Sequence, residues 1–203
     1  MIDRGALYIA YGERAQQEAM ASIETLRGWH GDLPVVVIGE AVKGAKHIPF
    51  AQRDRIGRWA KVNLDLLAPW EQTLYLDADT RVRQSIMAGF EMLADGWELV
   101  MVPSGNQGTD WLWHVGEEER RETILSTGIR AVQLQAGMMF FRQCEAVKRL
   151  FAQWRTEWER HQGQDQGALL RAIYQCPVKA WLLGKCWNGG AIIEHRFGAA
   201  RRA

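Results

Sequence analysis

Short apolar runs alternate with segments of helical periodicity along this chain of 203 residues. The apolar runs lie at 6–12 (ALYIAYG), 33–40 (LPVVVIGE), 73–77 (TLYLD), 97–103 (WELVMVP) and 132–142 (VQLQAGMMFFR). Apolar residues recur at helical spacing within 13–29, 57–70, 80–96 and 144–161. Continuous apolar runs are typical of strands that are covered on both faces. The alternation therefore predicts an α/β protein with a mainly parallel central sheet flanked by helices.

Length and charge limit the other possibilities. With 47% apolar residues the chain can bury one large core, so we expect a single domain over 1–203. Its 25 basic and 24 acidic residues give a net charge of +1, and we expect no nucleic-acid partner.

No apolar stretch without charges approaches the roughly 18 residues that a membrane-spanning helix needs. The N-terminal segment has charges on both sides of a short apolar run, which is not the pattern of a signal peptide. Three cysteines without a CxxC pair predict reduced thiols. Together these features favour a cytoplasmic protein that does not span a membrane.

Two aspartates end the apolar run in EQTLYLDADTRV, residues 71–82. Asp77 and Asp79 share one face of an extended segment, so their carboxylates can converge on a hard divalent cation that offsets their repulsion. The alternative is that one carboxylate caps the next segment while the other is solvated.

Phosphatases and nucleotide-sugar transferases both use a DxD pair. Haloacid-dehalogenase-type phosphatases place DxDx(T/V) after the first strand, whereas here the pair follows about a third of the chain and Arg81 stands at the Thr/Val position. Nucleotide-sugar transferases use the pair to hold a metal on a diphosphate leaving group. A sugar nucleotidyltransferase is less favoured, because the first strand is not followed by a glycine-rich GxGTR-like segment.

Five segments in this order along the chain resemble the family 8 glycosyltransferases of the GT-A fold, the group of glycogenin and the lipopolysaccharide galactosyltransferases. They are AYGER, AKVNLDLLAPWEQTLYLDADTRV, LQAGMMFF, QDQGALL and HRFGAAR. The resemblance implies a GT-A-like, Rossmann-like domain with a nucleotide-binding half at 1–103 and an acceptor and catalytic half at 104–203.

The C-terminal segment completes the metal site that the resemblance implies. His195, Gly198 and Arg201 reproduce the family's HxxGxxK spacing, with arginine in place of lysine. In the family that histidine is the third protein ligand of manganese, so the expected ligands are Asp77, Asp79 and His195 for Mn²⁺ or Mg²⁺. Two carboxylates and an imidazole suit Mn²⁺ better than Ca²⁺.

The family match also implies contacts to the nucleotide sugar. The residues concerned are Ala10, Tyr11, Lys61, Asp77, Ala78, Gln135, Gly198 and Arg201. Tyr11 resembles the residue that stacks on uracil, and Lys61 the helix lysine that approaches the phosphates. Arg201 would bind the diphosphate through two hydrogen bonds, although the neighbouring Arg196 or Arg202 offers the same group.

Catalysis is assigned by resemblance to Asp165 and Gln166, a pair that lies beside the anomeric carbon in the family. A carboxylate there stabilises an oxocarbenium ion or attacks it, and the family retains anomeric configuration. Without the resemblance, Asp165 is an ordinary acidic residue at a helix N-terminus.

The acceptor does not follow from the resemblance. The polar excursion at 104–127 carries Trp111, Trp113 and His114, whose ring faces could pack on an acceptor sugar. Gln135 replaces the family's usual asparagine, and the chain is shorter than most members. We expect a metal-dependent retaining glycosyltransferase that moves a hexose from a UDP-sugar to a glycan, lipid or protein. The alternative is a catalytically idle nucleotide-sugar-binding or scaffold protein.

Overall fold

The computed structural model describes residues 3–54, 57–104, 112–129 and 131–201, with the backbone alone at 201. The strands are β1 (Arg4–Ala10), β2 (Val35–Gly39), β3 (Lys46–Ile48), β4 (Gln72–Leu76), β5 (Thr80–Val82), β6 (Leu99–Pro103), β7 (Leu134–Arg142), β8 (Ala180–Leu182) and β9 (Ile193–His195). The α-helices are α1 (Glu13–Trp29), α2 (Arg58–Lys61), α3 (Leu64–Leu67), α4 (Met87–Ala94), α5 (Glu117–Thr127), α6 (Glu145–His161) and α7 (Asp165–Gln175). Short 3₁₀ helices lie at Lys185–Trp187 and Ala199–Arg201.

Among the described residues, seven strands form the central sheet in the order β3-β2-β1-β4-β7-β6-β8. Only β7 runs against its neighbours, pairing antiparallel with both β4 and β6. The prediction of an α/β fold with a mainly parallel sheet is therefore confirmed.

Helices cover both faces of this sheet, which explains the uninterrupted apolar runs. Along β1, Leu7 and Ile9 pack in the core shared with α6, while Ala6 and Tyr8 pack in the core shared with α1 and α4. The apolar residues that recur at helical spacing within 144–161 are buried on α6, and Trp154 among them has no exposed surface. Because both faces are buried, alternation between apolar and polar residues is absent.

The predicted helix over 80–96 is wrong at its beginning. Residues 80–82 form β5, which pairs antiparallel with β9, and helix α4 begins only at Met87. The extended backbone is stabilised from α1, where the Thr25 hydroxyl accepts a hydrogen bond from the Val82 amide at 3.0 Å. The predicted helix over 57–70 is also divided, into α2 and α3, and it ends before Pro69 as expected.

The longest of the described helices, α1 and α6, have 17 residues each and carry several charges. Within the described part of the chain, no helix combines the length and apolarity needed to cross a bilayer.

Candidate active site

The turn after β4 holds Asp77 and Asp79 at the end of the sheet's central strand. The Asp77 amide donates to the Gly137 carbonyl on β7 at 2.8 Å. The Asp77 carbonyl in turn accepts hydrogen bonds from the Thr80 hydroxyl at 2.8 Å and the Thr80 amide at 3.2 Å. These contacts fix the backbone of the turn that carries both carboxylates.

Strand β9 brings His195 to this turn. His195 lies opposite Thr80 in the β5–β9 pair, and the next amide, of Arg196, donates to the Asp79 carbonyl at 2.9 Å. His195 Nε2 is 3.2 Å from Asp79 Oδ1 and 3.7 Å from Asp77 Oδ2. One ligand atom from each of the three side chains lies within 4.8 Å of the other two. The structure thus brings the three predicted metal ligands together.

A glycine makes this close approach possible. A Cβ added to Gly137 would lie 2.4 Å from the His195 ring and 2.9 Å from Asp77 Oδ2. Any side chain at this position would therefore displace the imidazole or the carboxylate.

The electrostatics of the cluster suit a cation. Burial raises the pKa of Asp79, but the contact with His195 and the backbone amide of Gly198 outweigh it and hold that pKa well below its usual value. Asp79 is therefore ionised at neutral pH, and two oxygens and one imidazole nitrogen form a donor set that fits Mn²⁺. A divalent cation here would replace the partial compensation that His195 gives the two carboxylates.

Lys61 on α2 connects the candidate metal ligands with the candidate catalytic residue. Its Nζ lies 2.9 Å from Asp77 Oδ1 and 3.1 Å from Asp165 Oδ2, and it is buried. Burial lowers the pKa of Lys61, but Asp165 and Asp77 outweigh that effect and raise it. Lys61 is therefore not a solvated surface lysine, because its ammonium group is enclosed between two carboxylates.

Asp165 is the first residue of α7 and is 6% exposed. Burial raises its pKa, but Lys61 and then Arg58, whose Nε is 3.8 Å from Asp165 Oδ1, lower it to about 2. The indole of Trp154 donates to its carbonyl at 2.9 Å, which anchors the helix start to α6. Next to it, the Gln166 Oε1 accepts a hydrogen bond from Gln133 Nε2.

These groups open into one cleft of about 370 Å³. Its lining residues are Lys61, Asp77, Asp79, Ser104, Trp113, His114, Gln135, Gly137, Gln164, Asp165, Gln166, Asn188, His195, Phe197 and Gly198. The predicted metal ligands, both predicted catalytic residues and part of the predicted nucleotide-sugar set therefore share a cavity.

Three of the predicted nucleotide contacts lie outside that lining. The Tyr11 hydroxyl donates to the Phe50 carbonyl at 2.9 Å, and its half-buried ring stands beside Gly39 and Gly57. Ala10 at the end of β1 and Ala78 between the two aspartates are both buried in the apolar core.

Other predictions fall on parts of the chain that are not described. Trp111, Arg202 and the side chain of Arg201 lie outside the described residues. Trp113 is 65% exposed and lies edge-to-face with His114, with ring centroids 5.6 Å apart.

Several lining residues were missed by sequence reasoning. Asn188 Oδ1 lies 2.7 Å from His195 Nδ1, and the Phe197 ring stacks on the His195 ring with centroids 4.0 Å apart. Gly137 is part of the QAG segment that the resemblance singled out, and Phe197 is inside the HRFG segment. Asn188, in WNGG, carries no pattern that would have identified it.

A buried carboxylate on α1 supports the cluster from behind. Glu18 Oε2 is 2.5 Å from an Arg81 guanidinium nitrogen and 3.1 Å from Arg196 Nη1. Arg81 follows the DxD closely and Arg196 is adjacent to His195. One carboxylate thus holds β5 and the residue after β9 against α1.

Comparison with known proteins gives a fold but no closer relationship. No family model matches the chain, and no curated protein matches it. Solved structures of glycosyltransferases do match. The galactosyltransferase LgtC, solved with donor and acceptor sugar analogs, has a TM-score of 0.60 at 17% identity, over 89% of this chain and 73% of LgtC.

Two further structures agree with it. The bifunctional glycosyltransferase WbbM has a TM-score of 0.67 at 13% identity, covering 94% of this chain and 41% of WbbM. Mouse xyloside xylosyltransferase 1 has a TM-score of 0.59 at 12% identity, covering 92% of this chain and 87% of that protein. The chain has the GT-A fold, and the resemblance drawn from the sequence is confirmed at the level of the fold.

Proposed function

We propose that this protein is a metal-dependent, retaining glycosyltransferase that transfers a hexose from a UDP-sugar to an acceptor. The observation that carries the proposal is the meeting of Asp77, Asp79 and His195 in one cleft with Asp165. The similarity to LgtC, which was solved with donor and acceptor sugar analogs, supports it.

Asp77, Asp79 and His195 would hold Mn²⁺, or Mg²⁺ as the second choice. When bound, the cation neutralises charge on the diphosphate as the bond to the sugar breaks. Lys61 adds a buried positive charge on the same side of the cleft, where it contacts Asp77. Because Lys61 balances part of the carboxylate charge, the bound cation would have positive charge left for the nucleoside diphosphate.

Asp165 is suited to the sugar side of the reaction. Its low pKa keeps it ionised at neutral pH, so its negative charge stabilises an oxocarbenium-like centre or forms a bond to it. Lys61 and Arg58 fix its oxygens, and the hydrogen bond from Gln133 orients the adjacent Gln166. A carboxylate placed beside the anomeric carbon is compatible with retention of configuration.

The acceptor would enter past the aromatic residues of the cleft. Trp113 and Phe197 are 65% and 54% exposed, and both line the cavity. Aromatic faces pack on the C–H surfaces of sugars, so a glycan or the sugar of a glycolipid or glycoprotein fits this wall best.

The test combines calorimetry with turnover. The protein should bind UDP in the presence of Mn²⁺ and release hexose from a UDP-sugar slowly in the absence of acceptor. Asp79→Asn should abolish both, while Asp95→Asn, at an exposed position at the end of α4, should change neither.

Three outcomes separate the alternatives. Equal turnover by Asp79→Asn would overturn the metal assignment. Tight UDP binding without hydrolysis or transfer over many hours, with several acceptor sugars, would favour the idle nucleotide-sugar-binding protein. Failure to bind UDP with either metal would overturn the nucleotide-sugar assignment.

A further inference from the structure

We propose that Asn188 serves the site twice: its side-chain carbonyl fixes the ring of His195, and its amide group donates a hydrogen bond to an oxygen of the bound nucleotide sugar. The second half rests on the proposed function, whereas the first half concerns metal binding alone.

Asn188 is held rigidly where the chain turns into β9. The backbone amide of Asn188 donates to the Lys185 carbonyl at 3.1 Å. The following amides, of Gly189 and Gly190, both donate to the Ile193 carbonyl, at 2.9 and 3.1 Å. Gly189 has φ = 105°, a left-handed value that glycine adopts without strain. The side chain of Asn188 thus projects from a fixed backbone and is 1% exposed.

The contact with His195 selects one form of the imidazole. Asn188 Oδ1 lies 2.7 Å from His195 Nδ1, and a carbonyl oxygen can only accept, so Nδ1 carries the proton. Nε2, which lies beside Asp77 and Asp79, is then the ring nitrogen that remains to bind a metal. Partners of this type at the second ring nitrogen orient metal-binding histidines in general.

The other end of the same amide lacks a partner. Asn188 Nδ2 is buried and has no hydrogen-bond partner among the described residues, although Asn188 lines the cleft. Most buried amide donors in folded proteins are satisfied, and an exception calls for an explanation such as a functional role or a bound water or ion. An oxygen of the ligand that enters the cleft would satisfy it.

A nucleotide sugar bound at this end of the cleft would present oxygen atoms that accept hydrogen bonds. The proposed metal would hold diphosphate oxygens close to His195, and the hexose carries hydroxyl oxygens. Gln135 Oε1 is a second buried atom without a described partner in the same cleft, and it is an acceptor. An unpaired donor and an unpaired acceptor in one cleft favour a polar, oxygen-rich ligand over an apolar one.

Two substitutions separate the two functions of Asn188. Asn188→Asp keeps an oxygen beside His195 Nδ1 but replaces the donor by a negative charge. It should bind Mn²⁺ as tightly as the wild type or more tightly, and bind UDP or UDP-hexose with Mn²⁺ at least about tenfold more weakly. Asn188→Ala removes both groups and should also weaken Mn²⁺ binding by about 10- to 100-fold.

Calorimetry with Mn²⁺ alone, then with UDP and with UDP-hexose at saturating Mn²⁺, measures these effects. Asn63→Asp is the control, since it changes a buried amide that donates to Trp59 outside the cleft lining. It should leave all three affinities unchanged. Weakened binding of both UDP and UDP-hexose by Asn188→Asp indicates a phosphate oxygen, and weakened binding of UDP-hexose alone indicates a sugar hydroxyl.

The result is decisive in either direction. Wild-type affinity of Asn188→Asp for both UDP and UDP-hexose would overturn the donor contact while leaving the proposed function intact. Loss of Mn²⁺ binding in Asn188→Asp, or its retention in Asn188→Ala, would overturn the orienting role. If the wild type binds Mn²⁺ but no uridine nucleotide, the proposed function fails and the Mn²⁺ comparison still tests that role.

Discussion

Replacing Lys61 with methionine removes a positive charge that contacts both Asp77 and Asp165. Methionine has nearly the same volume, so the change isolates charge from packing. The ammonium group is buried and lies 2.9 Å from the partly buried carboxylate of Asp77 and 3.1 Å from the buried carboxylate of Asp165.

The size of the effect follows from two considerations. The pKa of Asp165 falls from 3.8 to about 2, and each pH unit is worth about 1.4 kcal/mol, so its ionised form contributes about 2 kcal/mol to stability at neutral pH. Removing one partner of a buried ion pair generally costs about 3–5 kcal/mol. We expect Lys61→Met to lower the free energy of unfolding at pH 7 by about 3 kcal/mol.

The loss should depend on pH in a direction that the contacts determine. In the wild type the folded-state pKa of Asp165 is below its unfolded value, so its contribution is present above about pH 4 and is lost as pH falls toward 2. In Lys61→Met the ammonium group no longer offsets the burial of Asp165, so the pKa of Asp165 in the folded variant is higher than in the wild type. The folded variant therefore protonates Asp165 more readily as pH falls. The difference between the two proteins should therefore shrink from pH 7 to pH 4.

Urea unfolding followed by tryptophan fluorescence at pH 7, 5.5 and 4 measures this difference. Lys148→Met is the matched control, because Lys148 pairs with Glu145 on the surface, where both side chains are more than half exposed. It should cost less than about 1 kcal/mol at every pH. A loss below about 1 kcal/mol for Lys61→Met, or a loss that stays constant between pH 7 and pH 4, would refute the reasoning.

Three other substitutions test the parts that surround the site. Gly137→Ala places a methyl group 2.4 Å from the His195 ring and should weaken Mn²⁺ binding at least tenfold, measured by calorimetry; unchanged affinity would contradict the described packing. Glu18→Gln should weaken Mn²⁺ binding about 10-fold, whereas Glu194→Gln, which breaks an exposed pair on β9, should not. Trp113→Ala should raise KM for a sugar acceptor several-fold and leave hydrolysis of the UDP-sugar unchanged; equal effects on both reactions would remove Trp113 from the acceptor wall.

The central sheet was predictable because burial on both faces leaves a continuous apolar signature. The runs that became β1, β2, β4, β6 and β7 all carry it. Strands β3 and β8 do not, since each has three residues and several of those are exposed. Short edge strands leave no pattern that distinguishes them from loops.

Some residues of the candidate site could also be predicted from the sequence, and others could not. The DxD pair could be recognised from the sequence because two like charges end a buried strand. His195 and Asp165 entered only through the family resemblance, since nothing local to a histidine in a C-terminal segment indicates a ligand. Asn188 was missed altogether, because its importance lies in an atom that has no partner among the described residues and in a contact with His195 that forms only when the chain turns into β9.

Arg81 shows that the role of a residue in the site can depend on contacts that the sequence does not reveal. From the sequence it argued against a phosphatase, because arginine occupied a position that would be Thr or Val. In the structure its guanidinium turns away from the cleft and pairs with Glu18, which also holds Arg196 beside His195. The metal ligands are thus assembled by β5–β9 pairing together with a carboxylate from α1. The affinity for a divalent cation should therefore depend on how firmly the segment that follows β9 packs against α1. A substitution at Glu18 should weaken metal binding without altering any ligand.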